Sequence, residues 1–174
     1  EEMGSISKYK VSNYFLKFIL AENVYLINTG GIILMIIFVS LMMPGAIKIP
    51  LALAIATVNT PLLTIFSTDI GIATYKKMLP KSNKSLGKDY IKVLFIYFTF
   101  VHLIILLANQ GQMSAKLVIS LIAFTIIDTL VAYVMENKYP IVGKKTTMAV
   151  WKSPRKYILG AVVFILAFVV FVMI

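Results

Sequence analysis

Hydrophobic residues occur along the chain in long runs, which short turns and basic stretches separate. A helix needs about twenty apolar residues to cross the hydrocarbon of a bilayer, and five runs meet or approach that length. They predict an all-α integral membrane protein with a single transmembrane domain. The predicted spans are residues 24–47, 49–66, 91–108, 115–135 and 157–174.

The last run is still apolar at Ile174, and no polar tail or closing charge follows it. Either the protein has an odd number of spans, or the sequence stops before a sixth helix. We favour the second interpretation and expect six spans in the complete protein.

The segment before the first span is amphipathic. From Ser5 to Leu26, apolar and aromatic side chains recur at spacings of three and four, with lysines among them. This pattern is typical of a helix that lies in the membrane interface, with its lysines at headgroup level. We assign residues 1–23 to such a helix. The plain alternative is that the segment begins the first span on its cytoplasmic side.

Composition supports the same class. The chain is 60% hydrophobic and only 14% charged over 174 residues, whereas soluble domains have roughly 45–50% and about 25%. The absence of cysteine excludes a disulfide framework and a thiolate metal site.

Fifteen of the seventeen Lys and Arg residues fall in three stretches, at residues 8–17, 76–92 and 138–156, and the other two, Lys48 and Lys116, lie in short turns. Short basic loops stay on the cytoplasmic side, so the N-terminus is predicted to be cytoplasmic. The cations do not form one face with interleaved aromatics, which argues against nucleic acid as a partner. Anionic lipids are the expected partner of these loops.

The loop after the second span has a pattern of its own. Ile72, Tyr75 and Leu79 recur at i, i+3 and i+7, which predicts a short helix with one apolar ridge. Asp69 favours the start of this helix, Lys76 and Lys77 favour its end, and Pro80 stops it. Periodicity alone fits equally a helix that binds a partner protein and a loop helix that rests on the membrane.

A resemblance favours the first of these. The run Thr60-Pro-Leu-Leu-Thr-Ile-Phe-Ser-Thr-Asp69, then Leu79-Pro80 and Lys88-Asp-Tyr-Ile91, resembles the region between the second and third spans of type 2 ABC exporter permeases. It is most similar to the small bacterial permeases for export of, or immunity to, amphipathic and antimicrobial peptides, including the phenol-soluble modulin exporters. The resemblance covers residues 49–94, and Asp89 departs from it by separating the lysine from the tyrosine.

The resemblance implies a fold and a set of partners. Residues 1–23 would be the elbow helix, and residues 69–79 the cytoplasmic coupling helix that fits a groove on a separate ATPase subunit, in the bacterial cytoplasmic membrane. A second permease copy or paralogue and an amphipathic peptide cargo would complete the system. The implied coupling residues are Asp69, Ile72, Tyr75, Lys76, Lys77, Leu79 and Pro80.

Motifs for chemistry are missing from the sequence. It contains no G-x-x-x-x-G-K-[ST] run, so ATP and Mg would be bound by the partner ATPase and no cofactor is expected in this chain. Nucleophile elbows and zinc helices are also absent, so we expect no enzyme. The alternative function is the substrate-binding membrane subunit of an energy-coupling-factor-type importer, which would need convergent polar groups near the outer face.

Ionisable groups within spans are costly and are therefore functional candidates. Counted from the turn at Gly111 with a rise of ~1.5 Å per residue, His102 lies about 14 Å deep and Asp128 about 25 Å deep, so we expect no direct pair. Each could line a pathway or hold helices together. Asn59, beside Pro61, gives the second span a polar, breakable middle that fits either a kinked, pathway-lining helix or ordinary packing.

Overall fold

The computed structural model describes residues 13–68, 83–140 and 155–173, and over these ranges it is helical, with no β-strand. We number the α-helices in chain order. They are α1 (Tyr14–Ala21), α2 (Asn23–Met42), α3 (Lys48–Ala56), α4 (Thr60–Thr68), α5 (Asn83–Ala108), α6 (Ala115–Lys138) and α7 (Arg155–Phe168). A 3₁₀ turn, Gln110–Gln112, precedes α6, and a π-helical turn, Val169–Met173, follows α7.

Three helices are long and apolar enough to cross a membrane, and they correspond to α2, α5 from Leu86, and α6. Helices α3 and α4 pass the same test only together, as one span bent by 44°. The apolar helix Tyr157–Val172 is shorter, so a fifth span stays a prediction. Over the residues that the structure describes, the chain is therefore a membrane-embedded helical protein with three candidate spans, or four if the bent pair is one.

The outer surface supports this conclusion. Large apolar side chains face outward on several helices, among them Ile27 at 74% exposure, Leu34 at 69% and Ile119 at 67%. Contiguous apolar surface of this extent is unusual for a protein in water. Lipid tails are the solvent that matches it.

Local chemistry explains where several helices begin and end. Asn13 caps α1 and Ser114 caps α6, each by accepting a backbone N–H three residues on at 3.1 Å. The first span was predicted to reach residue 47, but α2 ends at Met42 because Pro44 disfavours a helical Met43, which is extended at ψ 133°. Gly45 then turns the chain with a φ of 73°.

Helix α5 begins at Asn83, whereas the third span was predicted from residue 91. Counting only apolar residues missed this first part, because Lys88 and Asp89 are helical but partly or fully exposed. In the packed bundle, α5 lies against α6, α7 lies against α3, and α3 lies against α2. Helix α1, within the predicted interfacial segment, packs on α2 and α5; its position at a membrane interface stays a prediction.

Candidate functional site

The break between α3 and α4 places several polar side chains in the buried interior. Asn59 lies in it, fully buried. Its side-chain oxygen accepts a hydrogen bond from Asn28 at 2.7 Å, and its amide donates one to Thr29 at 2.9 Å. Both partners belong to α2, so the break is tied to the neighbouring helix. The predicted kink is present as the 44° bend, and the choice between a pathway-lining helix and ordinary packing stays open.

Side-chain hydroxyls satisfy backbone carbonyls at the break. Thr57 donates to Ala54 at 2.7 Å, and Thr60 donates to Val58 at 3.1 Å. From α5, Tyr97 donates to the Ala56 carbonyl at 2.8 Å. Pro61 has no N–H to continue the hydrogen bonds of the helix. In an apolar medium backbone carbonyls must find other donors, and these hydroxyls supply them.

His102 and Asp128 lie together, so the prediction that they form no direct pair is wrong. The His102 Nε2 and Asp128 Oδ2 atoms are 3.5 Å apart, and both side chains are buried at 3% and 0% exposure. The other ring nitrogen of His102, Nδ1, is 2.7 Å from the Thr125 hydroxyl. Phe98 packs on the ring, with centroids 5.9 Å apart.

Two features of antiparallel helices explain the error. Residues 109–114 join α5 to α6 without an α-helical rise, so a residue count from Gly111 does not fix how far the two helices are offset along their axes. Side chains on a helix also lean toward its N-terminus. On α5 this inclines His102 away from the connection, and on the antiparallel α6 it inclines Asp128 toward it, so the two side chains close the remaining gap.

Tyr97 connects this pair to the break. Besides the Ala56 carbonyl, its hydroxyl contacts the Asn59 side chain and lies near Asp128. We call Asn59, Tyr97, His102 and Asp128 the polar centre. Three of these four residues, Asn59, His102 and Asp128, are candidates that the sequence alone predicts. Tyr97 was missed, although it follows Tyr90 by seven residues and so lies on the same face of α5.

A small cavity of about 20 Å³ opens beside the polar centre. Its lining includes Thr57, Thr60 and Thr64 from the bent pair, Ala132 and Met135 from α6, and Leu159 from α7. Ala132 is one helical turn beyond Asp128. The cavity has room for about one water molecule, but its wall is mostly apolar and no residue of the polar centre lines it.

A second cluster closes the end of the bundle from which residues 69–82 connect α4 to α5. Phe66 of α4 stacks on Tyr90 of α5, with centroids 5.2 Å apart and planes at 15°. Phe15 of α1 contacts both rings, at 5.9 Å and 5.4 Å. The Tyr90 hydroxyl also donates to the Leu63 carbonyl at 2.8 Å. We call Phe15, Phe66 and Tyr90 the aromatic junction.

Further contacts extend the junction. Asn13, next to α1, donates to the backbone carbonyl of Asp89 at 2.9 Å. The Tyr133 ring of α6 lies 6.4 Å from Tyr90, and its hydroxyl would be 2.8 Å from a Cβ added at Gly87. Four helices therefore meet here: α1, α4, α5 and α6. The hydrophobic pattern placed Phe66 and Tyr90 near the membrane edge, but nothing in it paired them.

The predicted coupling residues lie outside the described residues. Asp69, Ile72, Tyr75, Lys76, Lys77, Leu79 and Pro80 all fall between the described ranges, and so does most of the basic stretch at residues 138–156. Within the described ranges, no group of three or more His, Asp or Glu residues could hold a metal ion.

Comparisons of the chain with family models, with curated proteins and with solved structures find no match.

Proposed function

We propose that the chain is the transmembrane permease subunit of an ATP-driven exporter that moves amphipathic or antimicrobial peptides out of a bacterial cell. The observation that carries the proposal is the order of the sequence motifs between Thr60 and Ile91, with the predicted amphipathic helix at residues 69–79 among them. A separate ATPase subunit would bind ATP and Mg and dock on this helix. A second permease copy or paralogue would complete the pathway.

The aromatic junction supports this proposal because of where it lies. Residues 69–82 leave α4 just after Phe66 and enter α5 seven residues before Tyr90. These two rings are stacked and buried. Packed interiors are nearly incompressible and move as units, so a force on the loop would reach α1, α4, α5 and α6 together. Rigid-body motion of this kind is a common form of switching.

The bent α3–α4 pair offers a second line of support. Transport proteins often use broken helices whose unwound backbone lines a path through the membrane. Here Thr57, Asn59 and Thr60 surround the break. An amphipathic cargo needs few recognition groups and an apolar route, and the outward faces of α2 and α6 are apolar.

The test is affinity purification of the tagged chain from its native membranes in a mild detergent, with the associated proteins identified by mass spectrometry. We expect an ATPase subunit with a phosphate-binding G-x-x-x-x-G-K-[ST] sequence and a second permease chain. A stable complex with a vitamin-sized ligand and no paired permease would contradict the exporter and favour the importer subunit.

A pair of variants sharpens this test. Tyr75→Ala with Leu79→Ala removes two side chains of the predicted ridge, and since buried aromatic and aliphatic anchors carry most interface energy, the ATPase should be lost from the complex. Thr74→Ala, which truncates a residue off the ridge, is the control and should keep it. Retention of the ATPase by the double variant would show that the ridge is not the docking surface.

A further inference from the structure

The hydrogen bonds around His102 determine which ring nitrogen carries a hydrogen. Thr125 donates its single hydroxyl hydrogen to the Leu121 carbonyl at 2.8 Å. At 2.7 Å from His102 Nδ1, the same oxygen can therefore only accept. Nδ1 must then carry a hydrogen, and Nε2 is the nitrogen that faces Asp128.

The gap between Nε2 and Asp128 needs one more hydrogen. Among the described residues, Nε2 and both carboxylate oxygens of Asp128 have no other hydrogen-bond partner. If neither Nε2 nor the Asp128 carboxylate carried a hydrogen, the lone pair of Nε2 would face a buried, uncompensated anion, which is strongly unfavourable. One hydrogen gives either an imidazolium with a carboxylate or a neutral imidazole with a carboxylic acid. Both arrangements have zero net charge.

We infer that His102 and Asp128 form a proton-binding site in the core of the bundle, in which one exchangeable proton lies between Nε2 and Oδ2 and is held by the pair. Binding converts an anionic pair to a neutral one by adding a single proton, and no other reactant is needed. The inference goes beyond the proposed exporter and does not depend on it, because no ATPase or cargo takes part.

The other titratable groups on the surrounding helices are either committed to another bond or lie away from His102 and Asp128. Tyr97 lies near Asp128 but donates its hydrogen to the Ala56 carbonyl. Glu136 is buried two turns further along α6, and Tyr90 is buried three turns before His102 on α5. Helices α2 and α3 bring the uncharged Asn28, Thr29 and Thr57 to the break. The other charges and phenols whose exposure the structure describes on these helices and their caps are all at least partly exposed: Tyr14, Lys17, Glu22, Tyr25, Lys48, Lys88, Asp89, Lys92, Lys116, Tyr133, Lys138, Tyr139 and Tyr157.

His102 is the only histidine in the chain, so labelling with ¹⁵N-histidine reports on one ring. The experiment records its two nitrogen signals by NMR in lipid nanodiscs at about pH 7, for the wild type, Asp128→Leu and Thr129→Val. Thr129 is the control because its hydroxyl bonds only to the Thr125 carbonyl of its own helix. We expect the wild-type Nε2 signal to be displaced from the position of an unprotonated ring nitrogen toward that of a protonated one.

In Asp128→Leu the Nε2 signal should return to the unprotonated position, and in Thr129→Val it should stay at the wild-type position. A wild-type signal at the unprotonated position, or one that Asp128→Leu leaves unchanged, would overturn the inference.

A second measurement needs no variant, in case Asp128→Leu does not fold. The chain has three aspartates, so ¹³C-aspartate labelling resolves the Asp128 carboxyl carbon. During a titration from about pH 5 to about pH 9, a shared proton requires the Asp128 and Nε2 signals to move together or to stay together at their displaced positions. An Asp128 signal that titrates while Nε2 does not respond would contradict a shared proton.

Discussion

Replacing Asn59 with leucine should loosen the bundle at its bend. Leucine has the branched shape of asparagine and the same number of side-chain heavy atoms, so the change removes hydrogen bonds without opening a cavity, and the matched control below carries the same increase in volume. Two bonds to α2 are lost, from Asn28 at 2.7 Å and to Thr29 at 2.9 Å, together with the contact to the Tyr97 hydroxyl.

The size of the effect follows from the medium. Side-chain hydrogen bonds between membrane helices contribute about 0.6 kcal/mol each on average, and up to about 1.7 kcal/mol. Two such bonds give about 1 kcal/mol, and about 3 kcal/mol at most. Asn28 and Thr29 are only half-buried and can find other partners, which favours the lower end of this range.

The assay is reversible unfolding in mixed micelles, followed by circular dichroism. Asn109→Leu is the matched control, because Asn109 is also buried but its amide bonds only to Ile105 of its own helix, at 2.8 Å. The control should lower the free energy of unfolding by less than Asn59→Leu does, because it removes one bond within its own helix and none between helices. A double-mutant cycle of Asn59→Leu with Thr29→Val should give a coupling of about 0.6 kcal/mol. Equal losses for the two leucine variants, with no coupling to Thr29, would show that the bonds from Asn59 to α2 do not stabilise the bend.

Three further outcomes are expected. Tyr90→Phe should lower the free energy of unfolding by about 0.6 kcal/mol by removing the bond to the Leu63 carbonyl, and Tyr90→Leu should lower it by about 0.5–1.5 kcal/mol more by removing the ring contacts as well; equal losses would contradict the aromatic junction. Gly160→Ala should be tolerated, because its Cβ would lie 3.5 Å from both the Ala54 carbonyl and the Thr57 hydroxyl, whereas Gly160→Leu should weaken the packing of α7 on α3 in the same assay. Cysteines at Lys48 or Lys116 should react with an impermeant thiol reagent added outside the cell, and a cysteine at Lys144 should not; the reverse pattern would contradict the orientation predicted from the basic loops.

The hydrophobic pattern predicted the three long apolar helices α2, α5 and α6 because lipid imposes a length and a polarity on anything that spans it. It could not locate the end of α2, which Pro44 and Gly45 set locally. It also missed the charged first turns of α5, since a helix can continue past the hydrocarbon while hydropathy falls.

The polar centre shows a different limit. Burial cost alone identified His102 and Asp128 as important, but their pairing depends on how α5 and α6 slide past each other and on the direction in which side chains lean. One-dimensional counting contains neither. The aromatic junction likewise joins Phe15 and Tyr90, which are far apart in sequence, through packing that no periodicity encodes.

The most direct test of the central claim, that residues 69–79 carry force from an ATPase to the bundle, is site-specific cross-linking. The chain has no cysteine, so a single Ile72→Cys gives one attachment point for a short photoreactive probe, and Lys48→Cys, at the first residue of α3, serves as the control. Both variants are expressed in the native cell, illuminated in intact membranes and analysed by mass spectrometry. If residues 69–79 dock on an ATPase, we expect a covalent adduct between position 72 and a nucleotide-binding subunit, with none from position 48. Adducts from position 72 only to lipid, or equal adducts from both positions, would contradict it.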